Sequence, residues 1–279
     1  MSRDCGRSDQ IVLVDSINQL DSTGGGKPVV AGSHGGVYPA YMAAVYGSRG
    51  VILNDAGIGF ENSGVACLGY CENIGMAAAV VSHHSARIGD AKSMMESGII
   101  SAANRIAENA GCRSGIACCD AVLRLWDAPI GSGSPPPYNE TRFLISDEMP
   151  RIVCIDSASL VEIEDAGQIV ITGSHGGLIG GRPEKAFNID ATLAVFNDAG
   201  VGLERAGIGR LWPLQERGIA AVTVSNMSAR LGDSRSSYEN GIISHANAAA
   251  EAMGASPGLS LKVFVHQARK LIAQSSPQQ

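Results

Sequence analysis

The sequence predicts an α/β fold made by internal duplication, each half a mostly parallel sheet flanked by helices. The first observation behind this is a set of motifs that recurs in order. Gly32-Ser33-His34-Gly35-Gly36 returns as Gly173-Ser174-His175-Gly176-Gly177, and Asn54-Asp55-Ala56-Gly57 as Asn197-Asp198-Ala199-Gly200. Ser85-Ala86-Arg87-Ile88-Gly89-Asp90 returns as Ser228-Ala229-Arg230-Leu231-Gly232-Asp233, and Gly98-Ile99-Ile100-Ser101 as Gly241-Ile242-Ile243-Ser244. The offset is 141 residues from His34 to His175 and 143 from Asp55 to Asp198, so the register shifts once, by two residues. Order kept over so long a period indicates a duplicated half-domain and not a solenoid array. The second observation is that short apolar runs alternate with helix-like segments, the pattern of a parallel sheet covered on both faces.

The elements follow in order. Residues 11–14 and 152–155 are β-branched runs that end at Asp15-Ser16 and Asp156-Ser157. Residues 28–31 and 168–172 are strands running into the Ser-His-Gly-Gly motifs, with helix patterns after them near 39–46 and 184–191. Strands at 50–53 and 193–196 end at Asn-Asp-Ala-Gly, and strands at 76–81 and 219–224 end just before Ser-Ala-Arg. Long amphipathic helices are expected over 91–109 and 234–253, with further ones at 117–126 and 259–271. The division is a first repeat at 9–128, a linker at 129–149 and a second repeat at 150–274. Within the linker, Gly131-Ser132-Gly133-Ser134-Pro135-Pro136-Pro137 breaks regular structure.

Composition excludes several classes. With 45% hydrophobic residues the chain has material for a core throughout, so extended disorder is not expected. A net charge of -6 without a basic block gives no reason to bind nucleic acid or an anionic membrane. No apolar stretch approaches the ~20 residues of a spanning helix, and the polar opening MSRDCGRSDQ carries no secretory h-region. Seven cysteines, an odd number, read as reduced thiols and point to a cytoplasmic protein.

All three polar motifs follow strands, so they should gather at the carboxyl edge of a sheet, where α/β proteins bind ligands. His34 and His175 are candidate acid–base groups. Ser33 and Ser174 are candidate nucleophiles, although the motif is not the Gly-x-Ser-x-Gly elbow. Gly35, Gly36, Gly176 and Gly177 expose backbone N–H groups suited to an anion or oxyanion. Asp55 and Asp198 are candidates to orient the histidine of their own copy, beside the amides of Asn54 and Asn197. Arg87 and Arg230 suit a planar carboxylate or phosphate. Each motif also has a structural reading: a capped strand-to-helix turn, an Asx turn, or an internal Arg87–Asp90 and Arg230–Asp233 pair. His83-His84 is private to the first copy and lacks metal-ligand spacing, and Cys67 and Cys71, aligned with Arg210 and Leu214, read as helix-packing residues. Neither Gly24-Gly25-Gly26-Lys27 nor Gly57-Ile58-Gly59 completes a nucleotide fingerprint, so neither a cofactor nor a metal is expected.

The order strand, His-Gly, strand, small residues, helix, strand resembles the caspase-like cysteine peptidases, whose His-Gly and Ala-Cys motifs end neighbouring strands. His34-Gly35 and His175-Gly176 match the first motif, and Ala56-Gly57 and Ala199-Gly200 fall where Ala-Cys would be. The resemblance implies a three-layer fold without peptidase chemistry, because Gly57 and Gly200 carry no thiol. Apart from the resemblance, the repetition of polar residues at strand ends points to an enzyme acting on a small polar amide or carboxylate by acid–base chemistry, with hydrolysis as the default reaction because no cofactor motif appears. The rival expectations are a non-catalytic small-molecule-binding or scaffold protein and an inactive peptidase-like homologue. Glycine-rich motifs in both copies also fit a symmetric homo-oligomer.

Overall fold

The computed structural model describes residues 10–131 and 133–275; Cys5 and Ser132 lie outside the described residues. The first half runs β1 (Val12–Val14), β2 (Pro28–His34), α1 (Val37–Val45), β3 (Gly50–Asn54), α2 (Cys67–Asn73), β4 (Ala77–Val81), α3 (Ala91–Ser97), β5 (Ile100–Ala103), α4 (Arg105–Asn109) and α5 (Cys118–Arg124). The second runs β6 (Arg142–Ser146), β7 (Ile152–Ile155), β8 (Ile169–His175), β9 (Leu193–Asn197), α6 (Leu211–Glu216), β10 (Ala220–Val224), α7 (Ser234–Asn240), β11 (Ile243–Ala246), α8 (Ala248–Ala252) and α9 (Leu261–Ser275).

Two separate sheets result. The first has the order β1-β2-β3-β4-β5 and the second β11-β10-β9-β8-β7-β6. Strands β1 to β4 and β7 to β10 are parallel, whereas β5, β6 and β11 join antiparallel at the edges. The central strands β3 and β9 are buried at every residue, which is why they read as continuous apolar runs with no alternation. Successive residues of β3 still serve opposite faces. Val51 and Leu53 pack with Ala40 of α1 and Cys67 of α2, while Ile52 packs with Met94 of α3 and Val122 of α5. The second sheet is layered the same way. Val195 lies with Tyr238 and Phe264 of α7 and α9, and Phe196 with Leu214 of α6. Each such large side chain contributes roughly 1.5–3 kcal/mol by its removal from water.

Three expectations are corrected. The long helices at 91–109 and 234–253 are each helix, edge strand, helix. Gly98 and Gly241 end α3 and α7, where an added Cβ would meet the Met94 and Ser237 carbonyl oxygens at 2.3 and 2.2 Å. The following Ile-Ile runs then pair as strands, and Asn104 and Asn247 cap the helices after them. No α-helix forms over 184–191. Gly180 and Gly181, at φ of 62° and 66°, and then Pro183 break this stretch into single 3₁₀ turns. The segment at 129–149 is not all linker, since it supplies β6, which covers the edge of β7. Among the described residues, no helix is long and apolar enough to cross a membrane.

The halves meet through the loops that follow their strands. Ala56, Gly57, Ile58 and Gly59 have φ of 48°, 71°, 63° and 72°, and the matching residues 199–202 have 47°, 74°, 64° and 68°. Left-handed backbone at Ile58 and Val201 is strained for β-branched residues. Asn54 and Asn197 hold the loops by accepting the Ala56 and Ala199 N–H groups at 2.9 and 3.0 Å. Gly57 lies so close to Gly200 that a Cβ on it would sit 3.0 Å from the Gly200 Cα. Ala56, Ile88, Ala199 and Leu231 close a small apolar core at this junction.

A polar cleft between the halves

Strands β1, β2, β7 and β8 end facing one another across the junction. The cleft between them, about 330 Å³, is lined from both halves by Ser33, His34, Ser174 and His175 among others. This is the carboxyl-edge position that the motif spacing predicts.

The histidines are matched in detail. Gly36 N–H donates to His34 Nδ1 and Gly177 N–H to His175 Nδ1, both at 3.1 Å. Accepting at Nδ1 places the proton of the neutral ring on Nε2, which has no partner among the described residues. The rings approach edge to face, with centroids 6.4 Å apart. Burial pushes His34 down to about 4. His175 is also held well below the usual range, by burial first and then by the charge of Arg210. Both rings are therefore neutral Nε2–H donors at neutral pH, suited to an oxygen that gains negative charge. Their role as proton-accepting bases is not available in this tautomer.

Other motif residues serve the frame. Ser33 Oγ accepts the Ile17 N–H at 2.9 Å and Ser174 Oγ the Ala158 N–H at 2.8 Å, and neither bonds to a histidine. The N–H groups of Gly35 and Gly176 are bound to the Asn54 and Asn197 carbonyls. With Gly36 and Gly177 turned to the imidazoles, none of the four glycines offers the expected anion donor. Asn54 and Asn197 are fully buried loop supports.

Asp55 and Asp198 do not orient His34 or His175. Asp55 Oδ1 instead meets His83 Nδ1 at 2.8 Å and the His83 N–H at 2.9 Å, and Ser101 donates to Oδ2. Burial acts on Asp55 to raise its pKa, but the His83 and Ser101 hydrogen bonds outweigh it and hold the carboxyl below its ordinary range. Asp198 accepts the Gly200 and Asn226 N–H groups. Arg87 and Arg230 lie away from the cleft. Arg87 bonds Asp90 and reaches Glu204 of the other half at 3.0 Å, and Arg230 bonds Asp233 and reaches Glu61 at 2.7 Å. The internal pairing is present in both copies, extended in each by a bridge across the junction.

Two residues outside the motifs dominate the electrostatics. Arg210, directly before α6, is 5% exposed and lines the cleft. Its Nε and Nη1 donate to the Gly177 and Ala186 carbonyls at 3.0 and 2.6 Å, and its plane lies over the Phe196 ring. No carboxylate pairs with it, and Nη2 is left without a partner among the described residues. Burial lowers it to about 10, so it stays cationic at neutral pH. Glu140, from the segment read as linker, enters the same cleft. Burial first, and then Asp156, raise it to about 7, against a hydrogen bond from Ser157. The signal for Arg210 is a break in the repeat: its counterpart is the buried Cys67. Glu140 has no counterpart and left no such signal.

Comparison with protein-family models, with curated proteins and with solved structures finds no match to the chain, and the site is read from its own chemistry.

Proposed function

We propose that the cleft binds a small polar compound bearing a carboxylate or amide and hydrolyses it, with the two imidazoles serving as Nε2–H donors and not as bases. The observation that carries this reading is Arg210. A guanidinium taken out of water without a counter-charge is costly unless a ligand supplies one. Its free Nη2 and planar fork suit a carboxylate. The Nε2–H groups of His34 and His175 sit on the same cleft and would hold the oxygen of a carbonyl under attack, with water as the co-reactant.

One observation favours a second reading, that of a non-catalytic binder. The glycine N–H groups and both seryl hydroxyls are engaged within the chain, so the motifs supply no nucleophile–base pair.

A thermal-shift screen against small carboxylates, amides and cyclic imides tests both readings. A ligand at a hundred times its dissociation constant should add about 2.7 kcal/mol. The shift should vanish in Arg210→Met, weaken in Arg210→Lys and survive in Arg87→Ala. A shift lost in Arg87→Ala but kept in Arg210→Met overturns the assignment of the anion site. With a ligand in hand, turnover that survives in both His34→Gln and His175→Gln rejects the catalytic roles and leaves the binder.

A further inference from the structure

The cleft carries two opposite groups that do not neutralise each other. Arg210 is set among the Gly177 and Ala186 carbonyls and the His175 ring, with Lys185 also on the cleft wall. Glu140 is set with Asp156, Ser157 and Tyr38. Among the described residues no carboxylate oxygen, those of Glu140 included, forms an ion pair with the Arg210 guanidinium, whose Nε and Nη1 go to backbone carbonyls. Cation and acid thus stand apart in one cavity. Asp156 is already committed: Oδ1 accepts from the Ser234 N–H and hydroxyl, and Oδ2 from the Thr141 N–H and hydroxyl. Glu140 is the carboxyl with capacity left for a ligand.

We propose that the cleft takes a small zwitterion, with its carboxylate on Arg210 and its primary ammonium on Glu140. This rests on the reading of the cleft as a carboxylate site and narrows it to compounds of amino-acid type. A dianion would set its second charge against Glu140 and Asp156. A simple amine would leave Arg210 buried and unpaired. The volume of about 330 Å³ has room for roughly ten non-hydrogen groups at the ~30 Å³ each water-sized group occupies. The asymmetry comes from the second half, because Cys67, the counterpart of Arg210, is a neutral buried thiol.

Calorimetric titration of the whole chain with five-carbon probes tests this: valerate, pentylamine, glutarate, and the zwitterions δ-aminovalerate and norvaline. At least one zwitterion should bind about tenfold or more tighter than valerate or pentylamine, as a charge-assisted hydrogen bond added at each end requires. Glutarate should bind no better than valerate. In Glu140→Gln the zwitterion should fall to the affinity of valerate, and in Arg210→Met to that of pentylamine. Arg210→Lys, which keeps the charge, should retain the zwitterion preference at reduced affinity and serves where the Met variant does not fold. Valerate or glutarate binding as tightly as both zwitterions would overturn the zwitterion assignment and leave the carboxylate site standing. No binding by any probe would overturn both.

Discussion

Replacing Glu140 by glutamine should stabilise the protein at alkaline pH and leave it nearly unchanged near pH 5. In the fold its carboxyl is raised from 4.5 to about 7. A carboxyl raised on folding keeps its proton in the native state while the unfolded chain gives it up. The native state therefore holds the extra proton between about 4.5 and about 7, and stability falls as pH climbs through that window. Such a shift corresponds to about 3 kcal/mol between the protonation states, and water and salt reaching the open part of Glu140 lower it toward about 2. Glutamine keeps the shape and carries no charge at any pH. At roughly 2 °C per kcal/mol for a chain of this size, Glu140→Gln should melt about 4 °C above the parent near pH 8.5, with the difference closing near pH 5. Differential scanning calorimetry across pH reads this directly. The groups facing Glu140 are Asp156, Tyr38 and Tyr138, with Arg210, Lys185 and the two histidines on the same cleft. If the variant melts lower at alkaline pH, Glu140 is ionised and held by one of those cations, and the divided-charge description of the cleft fails.

Three further outcomes follow from the same geometry. Gly57→Ala should destabilise by at least about 2 kcal/mol in urea unfolding, because it adds left-handed strain to a Cβ only 2.5 Å from Asn226 Nδ2. Ser33→Ala should cost about 1 kcal/mol through the orphaned Ile17 N–H and leave any turnover within a few fold; a thousandfold loss at unchanged stability would restore Ser33 as a nucleophile. A double-mutant cycle on Arg87→Ala and Glu204→Ala should give a coupling of about 0.2–1 kcal/mol, since the two side chains are 39% and 65% exposed, with ligand affinity unmoved.

The sheets were legible because apolar runs of four to six residues end at repeated turn residues, and those repeats fix which runs correspond. Misreading α3 and β5 as one helix has a physical cause. Ile99-Ile100-Ser101-Ala102-Ala103 has no alternation, and only its place at a sheet edge decides between a strand and a continued helix. The positions of Ser33, His34, Ser174 and His175 on one cleft were predictable from strand ends. The roles of Asp55 and Asp198 were not, because each accepts from a residue 28 positions on, His83 or Asn226, that a motif cannot name; for Arg87 and Arg230 the pairs with Asp90 and Asp233 were legible and only the bridges to Glu204 and Glu61 were not.

Repetition pointed to the site, yet it points best at what both halves share, and what they share here is mostly frame. Both copies use serine to tie down a turn, asparagine to hold a left-handed loop, and glycine to fix an imidazole tautomer. A ligand that is not itself two-fold symmetric is recognised by what differs. The two-residue shift in register falls where α1 in the first half gives way to the glycine- and proline-broken turns of the second. Those turns bring the Ala186 carbonyl to Arg210 and place Lys185 on the cleft wall. The chain between the halves adds Glu140, for which no duplicate exists. The cationic and acidic ends of the cleft thus both arise where the repeat fails, so in a duplicated chain the aligned but unmatched positions are where specificity should be sought.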